Sequence, residues 1–281
     1  MITTRRKFWI LLIFSLAAAA VFIFACSDDE PTEPEAEAPQ IPPLSSFLMD
    51  FSDFPAQSKG STEQNPTSAK LLTQDNYNWA AVHVGVWNLL ITVGMAVPVA
   101  SFVESFAHRP VQQPDGSWLW SYDLTVDGDQ YSAALCGSID NSGTEWEMSI
   151  SKAGEYQDFL WYSGQADLFL TEGAWTLNKH PEEPIPLVLI EWHRSIEDST
   201  ADIRYTNIEP GGAENGGYIF YGSTPDTVYD AFYDIYNKGQ NNLIDIEWNL
   251  TDKDGRIKDA IHFQDEDWHC WDEGRQDIDC P

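Results

Sequence analysis

SWLWSYDLTV, residues 117–126, sets Trp118, Trp120, Tyr122, Leu124 and Val126 at every second position, with Asp123 and small polar residues among those between them. A period of two puts alternate side chains on opposite faces of a strand, so one face of this segment is apolar and the other is wet. TEWEMSI (144–150) repeats the pattern with Trp146, Met148 and Ile150, and NLIDIEWNL (242–250) repeats it with Ile244, Ile246, Trp248 and Leu250. Turn signals separate such runs: VDGDQ at 126–130, DNSG at 140–143, KAGE at 152–155, PGGAENGG at 210–217 and KDGR at 253–256. GRIKDAIHF (255–263) alternates less cleanly, with His262 in the position of an outward strand residue. Half-buried strands joined by short turns predict an antiparallel meander of roughly ten strands. A meander that long curls, because strand twist accumulates and open edges invite pairing. The expected fold is mainly β (α+β), a barrel or half-barrel.

Upstream of the strands lies NYNWAAVHVGVWNLLITVGMAVPVASFV (76–103), which contains no Asp, Glu, Lys or Arg. Its length and composition suit a transmembrane helix, but Gly85, Gly94, Pro98, Asn88 and His83 interrupt it. A helix apolar on every side is otherwise one enclosed by protein. The reading adopted is a buried helix over 76–105, kinked near Pro98 and surrounded by the curled sheet. Residues 71–281 then suit a single β-rich domain.

The chain of 281 residues carries 45 acidic and 15 basic side chains, a net charge of −30. Such a field repels nucleic acid and anionic head groups, so no nucleic-acid partner is expected. Residues 26–70 are rich in Pro, Glu, Ser, Gln and Thr and read as an acidic, self-repelling tether. Within it, LSSFLMDFSDF (44–54) is an apolar interruption suited to docking on the folded domain.

The first 25 residues have the form of an export signal: Arg5, Arg6 and Lys7, then an uncharged run from Phe8 to Ala25, then Cys26. Ile23, Phe24, Ala25 and Cys26 resemble the lipobox of bacterial lipoprotein signals. The resemblance implies a signal peptide over residues 1–25 and acyl chains (palmitate among them) on Cys26 as the mature N-terminus. That processing removes three basic residues and no acids, giving a net charge of −33. Ser27, Asp28, Asp29 and Glu30 resemble the acidic export signal of surface lipoproteins in the Bacteroidetes group. The implied location is the outer membrane, lipid-anchored, at the cell surface or else on the periplasmic face.

Of the remaining cysteines, Cys270 and Cys280 lie close together in CWDEGRQDIDC, in a compartment where disulfides persist, and are expected to pair. Cys136, in YSAALCGSI, reads as a buried small residue. HFQDEDWHCWDE (262–273) and TDKDGRIKD (251–259) group acids with His262, His269 or Gly255, but neither has the spacing of a zinc or calcium site. No GxSxG, HExxH, Walker or GxGxxG motif occurs, so no catalytic residue, metal or cofactor is assigned. The strand aromatics Trp118, Trp120, Trp146, Trp192 and Trp248 are candidate ligand-binding residues, because an aromatic-lined sheet encloses an apolar ligand or stacks against sugar rings. The expected architecture resembles the half-barrels with internal helices of bacterial lipoprotein-carrier proteins, which implies an apolar ligand in the concavity. The first functional reading is a non-enzymatic lipoprotein that binds a hydrophobic or amphipathic ligand or a partner protein. The alternative is a polysaccharide-binding module, and glycan hydrolysis comes last.

Overall fold

The computed structural model describes residues 37–54, 73–198, 200–225 and 228–281. The expected signal peptide over residues 1–25, Cys26 and the segment Ser27 to Glu30 lie outside the described residues, and the compact unit begins at Ala38. Fourteen strands form one antiparallel sheet in which every strand pairs with its neighbours in sequence. They are β1 (Val111–Gln112), β2 (Trp118–Val126), β3 (Asp129–Ile139), β4 (Thr144–Lys152), β5 (Tyr156–Ala166), β6 (Glu172–His180) and β7 (Glu183–Ser195). The order continues through β8 (Thr200–Asn207), β9 (Tyr218–Ser223), β10 (Ala231–Asn237), β11 (Asn242–Trp248), β12 (Gly255–Asp259), β13 (His269–Trp271) and β14 (Asp277–Ile278). The first and last strands do not pair with each other, so the sheet is open, and both edges are short, which limits the backbone they offer to another chain. The strands number more than ten because two- and three-residue pairings at the ends are too brief to leave a period.

Local chemistry explains the hairpins. Asp127 and Gly128 join β2 to β3 with φ of 51° and 90°, the two positive values of a type I′ turn. The predicted alternation is present: Trp120, Tyr122 and Leu124 are buried with Leu135, Met148, Ile190, Ile246 and their neighbours on one face. On that face large indoles lie across glycines of the paired strand. Gly137 is opposite Trp146, Gly164 is opposite Trp175, and Gly173 is opposite Trp192. Each glycine leaves the space that a flat ring needs to cover the neighbouring backbone.

Two helices join at a bend of 72°. They are α1 (Asp75–Leu89), continued by a π-helical turn over Leu90–Gly94, and α2 (Ala96–Ser105). The break falls at Met95, within one turn of Pro98, near which the sequence placed the kink. Pro98 is the third residue of α2, where the backbone N–H has no intrahelical acceptor in any case, so proline there starts a helix without distorting one. Among the described residues no single helix is long and apolar enough to cross a membrane, and the bent pair passes that test only jointly.

The start of α1 is held by the far end of the chain. Asp277 accepts hydrogen bonds from the backbone N–H of Asp75 and Asn76 at 3.1 and 3.0 Å and from the Thr73 hydroxyl. A carboxylate there satisfies orphan donors and meets the positive end of the helix dipole. Cys270 and Cys280 are bridged, and Asn76 donates to the Cys270 carbonyl at 2.9 Å, so the disulfide and the helix start support each other.

Residues 41–54 form a strap with one 3-10 turn, Leu44–Ser46, and no strand. Phe47, Met49, Phe51 and Phe54 are buried in the same core as the helices and sheet. Phe47 stacks on Phe102 of α2 at 4.4 Å and meets Trp175 of β6 at 5.7 Å. Phe54 stacks on Tyr77 of α1 at 5.4 Å and meets Trp248 of β11 at 5.1 Å. The apolar interruption read in the sequence is therefore a core element.

Candidate functional site

The inner side of the bent helix packs through Tyr77, Ala80, Ala81, Val84, Ile91, Met95 and Phe102, all buried. Its outer side does not. Val82, Val86, Leu89 and Val93 are 51, 62, 62 and 68% exposed, and Val103 and Phe106 continue the surface past the bend. The first four follow one another at intervals of four, three and four residues, the spacing of a helix–helix seam. Gly85, on the same side, has no atom within 4 Å of where a Cβ would stand. A glycine inside a helix costs about 1 kcal/mol relative to alanine, and among the described residues nothing uses the space it leaves. The helix expected to be enclosed on all sides is thus covered on one side only.

Beside this surface sits a polar junction that fixes α1 to the sheet. Asp259, 2% exposed, ends β12 and caps a four-residue helix α3 (Ala260–Phe263). It accepts from Trp79 Nε1 and Asn242 Nδ2 at 2.8 Å each and from the backbone N–H of Ile261 and His262 at 3.1 Å each. Burial alone pushes this carboxyl upward, but the four donors outweigh it and hold it below the usual carboxylate range. The Trp79 ring stacks on His262 at 3.8 Å and meets His83 at 4.7 Å. His262 is therefore a helical residue under an indole, not an outward strand residue. Burial lowers the His83 pKa, Asp259 opposing and His262 adding to the fall, and among the described residues its Nε2 has no hydrogen-bond partner.

The five tryptophans singled out in the sequence are distributed along the sheet, on β2, β4, β7 and β11. Trp120, Trp146, Trp192 and Trp248 are buried and Trp118 is half-buried. Trp146 Nε1 donates to the Thr144 hydroxyl at 3.0 Å and Trp248 Nε1 to Asp53 at 2.9 Å, which leaves no free polar handle on either. Cys136 is half-buried and faces outward, on a groove of about 660 Å³ with Asp115, Glu145 and Glu147. Among the described residues no three His, Cys, Asp or Glu side chains converge to hold a metal ion. In the 262–273 cluster, His269 pairs instead with Asp265 at 3.1 Å.

On the outer face of the sheet Asp234 of β10 lies directly across from Asp245 of β11, and Asp245 pairs with Lys258 of β12 at 3.3 Å. Burial, then the charges of Asp245 and Glu247, push Asp234 up to about 6, against the pull of Arg204. An acid raised on folding binds its proton more tightly in the native state, so its contribution to stability declines as pH climbs from about 4 to 6. Replacing Asp234 with Asn is expected to raise stability at pH 8 by about 1 kcal/mol, after allowance for solvent screening. Denaturant titrations across pH 4–8 check this: the variant should show a smaller decline than the wild type between pH 4 and 6.

No family model, curated protein or solved structure matches this chain.

Proposed function

We propose that the chain is a non-enzymatic lipoprotein, anchored in the outer membrane through acylated Cys26, that docks a partner protein on the outward face of its bent helix. The partner presents an apolar helical surface with basic flanks. One observation carries this reading: Val82, Val86, Leu89 and Val93 make an exposed apolar seam inside a 28-residue stretch without charge, on a chain whose net charge is −30. The seam spacing favours a helix over a loose apolar ligand, open space at Gly85 allows close backbone approach, and the net negative charge of the chain complements basic flanks.

The sheet in this reading curls into a half-barrel around the inner side of the helix, and a distance argument supports the curl. Asn76 touches β13 and Ser101 touches β2 through the Tyr122 hydroxyl. Eleven inter-strand steps separate those strands, roughly 53 Å in a flat sheet. The helix between the two contacts covers at most about 38 Å if straight, and less with the bend. The glycan alternative has weaker support, since four of its five proposed tryptophans are covered by the core.

The test uses a designed amphipathic helical peptide with a leucine seam and lysine flanks, and separately phosphatidylcholine vesicles. Full-length protein is expected to bind the peptide, and V86D/L89D is expected to bind at least tenfold more weakly with an unchanged melting temperature. Peptide binding that ignores the double replacement overturns the reading, and vesicle binding without peptide binding replaces the protein partner by lipid.

A further inference from the structure

The strap is held as a bound peptide is held. Its backbone makes no strand pairing; Ser46, Phe47, Leu48 and Phe54 N–H groups bond within the segment itself. Every described bond from the strap to the rest of the protein runs to a side chain. The Tyr205 hydroxyl donates to the Phe47 carbonyl at 2.9 Å and accepts from Met49 N–H at 2.6 Å. Tyr233 donates to the Asp50 carbonyl, Tyr77 to the Asp53 carbonyl at 3.0 Å, and Trp175 Nε1 to the Ser46 hydroxyl at 3.3 Å. Asp53 takes the Trp248 indole N–H at 2.9 Å and the Lys253 ammonium at 2.6 Å. Between those polar clamps the rings of Phe47, Phe51 and Phe54 fill three aromatic sockets, with Phe102 and Trp175, Tyr233, and Tyr77 and Trp248 as walls.

We infer that this cleft between the bent helix and the sheet is a binding site for a short extended peptide with aromatic residues at the spacing of Phe47, Phe51 and Phe54. It is occupied in cis by residues 41–54 and accepts the same segment from a second copy of the chain. The length of the covalent link to α1 is the second observation. Eighteen residues separate Phe54 from Thr73, yet the Phe54 ring touches Tyr77 at 5.4 Å. Eighteen residues can span up to about 60 Å, so the covalent link does not by itself oblige the strap to sit against α1. It also holds the strap at an effective concentration on the order of millimolar, which a second copy or a free peptide must match. The hydroxyl and indole donors belong to four strands of the sheet and to Tyr77 of α1, all outside the strap.

The experiment vacates the site in the full chain with F47A/F54A and adds a fluorescent peptide of residues 41–54. Saturable binding with a Kd on the order of micromolar is expected, together with a rise in thermal midpoint. The same peptide carrying both alanines should bind at least tenfold more weakly, and Tyr205→Phe in the vacated chain should weaken the native peptide several-fold. A folded, vacated chain that ignores the peptide overturns the inference. If the vacated chain does not fold, a protease site placed between residues 55 and 72 of the otherwise native chain gives the second measurement. Displacement of the labelled N-terminal fragment by excess peptide supports the site, and a fragment that stays for days under that excess overturns it.

Discussion

Replacing Asp259 with alanine is expected to remove about 3–5 kcal/mol of stability at neutral pH, the cost of stranding buried donors around a deleted charge. The side chain is almost wholly buried and accepts from four groups on three elements: Trp79 on α1, Asn242 on β11 and two backbone N–H groups of α3. Alanine leaves all four donors without the carboxylate they share in the folded protein. The pH dependence gives the loss a signature. Because the folded carboxyl titrates below its ordinary value, its contribution is complete above the unfolded value near 4 and fades as pH falls through the folded one. The gap between wild type and variant in urea titrations should therefore be widest at neutral pH and narrow below about pH 4. A variant within 1 kcal/mol of wild type at pH 7 would mean that the helix is not fastened at this junction.

The second large effect is expected at Gly164. A Cβ there would stand 2.1 Å from Cε3 of Trp175 and 2.7 Å from the Ala174 carbonyl oxygen. The indole is locked, with Phe47 at 5.7 Å, Phe102 at 5.3 Å and Tyr162 at 5.7 Å around it, and the carbonyl is sheet backbone. Neither yields cheaply, so Gly164→Ala should cost about 3 kcal/mol, the upper end of the range for overpacked cores. The decisive measurement is a double-mutant cycle with Trp175→Leu. If the clash with the ring sets the cost, the second replacement should recover some of it; simple additivity would place the strain in the backbone instead.

Alternation makes the strands legible, because each has one wet face, and the wet residues at Glu145, Glu147, Asp245 and Glu247 mark the period without help from the rest of the fold. The same signal fails for the bent helix. Val84 faces the core and Val86 faces water, and valine reads alike in both places. A run without charges leaves nothing to mark the outer side, so its pattern reads as enclosed. Gly94 and Pro98 punctuate the run and bracket the break at Met95, whereas the π-helical form of the turn before it leaves no period in the sequence. His262 follows a strand period until Asp259, an N-cap, turns the chain into α3. The partners that complete the junctions are out of reach for a different reason. Asp277 meets Asn76 across 201 positions and Tyr205 meets Met49 across 156, and only the register of the whole sheet brings them together. The glycines opposite Trp146, Trp175 and Trp192 are unreadable for the same cause, since a glycine in a strand has meaning only once its cross-strand neighbour is known.

The strap lies between the proposed lipid attachment and everything else in the fold, and that order has a mechanical consequence. Any drag on the anchored end enters the protein at Ala38 and reaches side-chain clasps on residues 46–53 before it loads a single ladder of the sheet. Those clasps would open in succession, like a zip fastener, while the fourteen strands stay shut. Their release would add the length of residues 41–54, about 45 Å of contour, between anchor and body while the sheet stays folded.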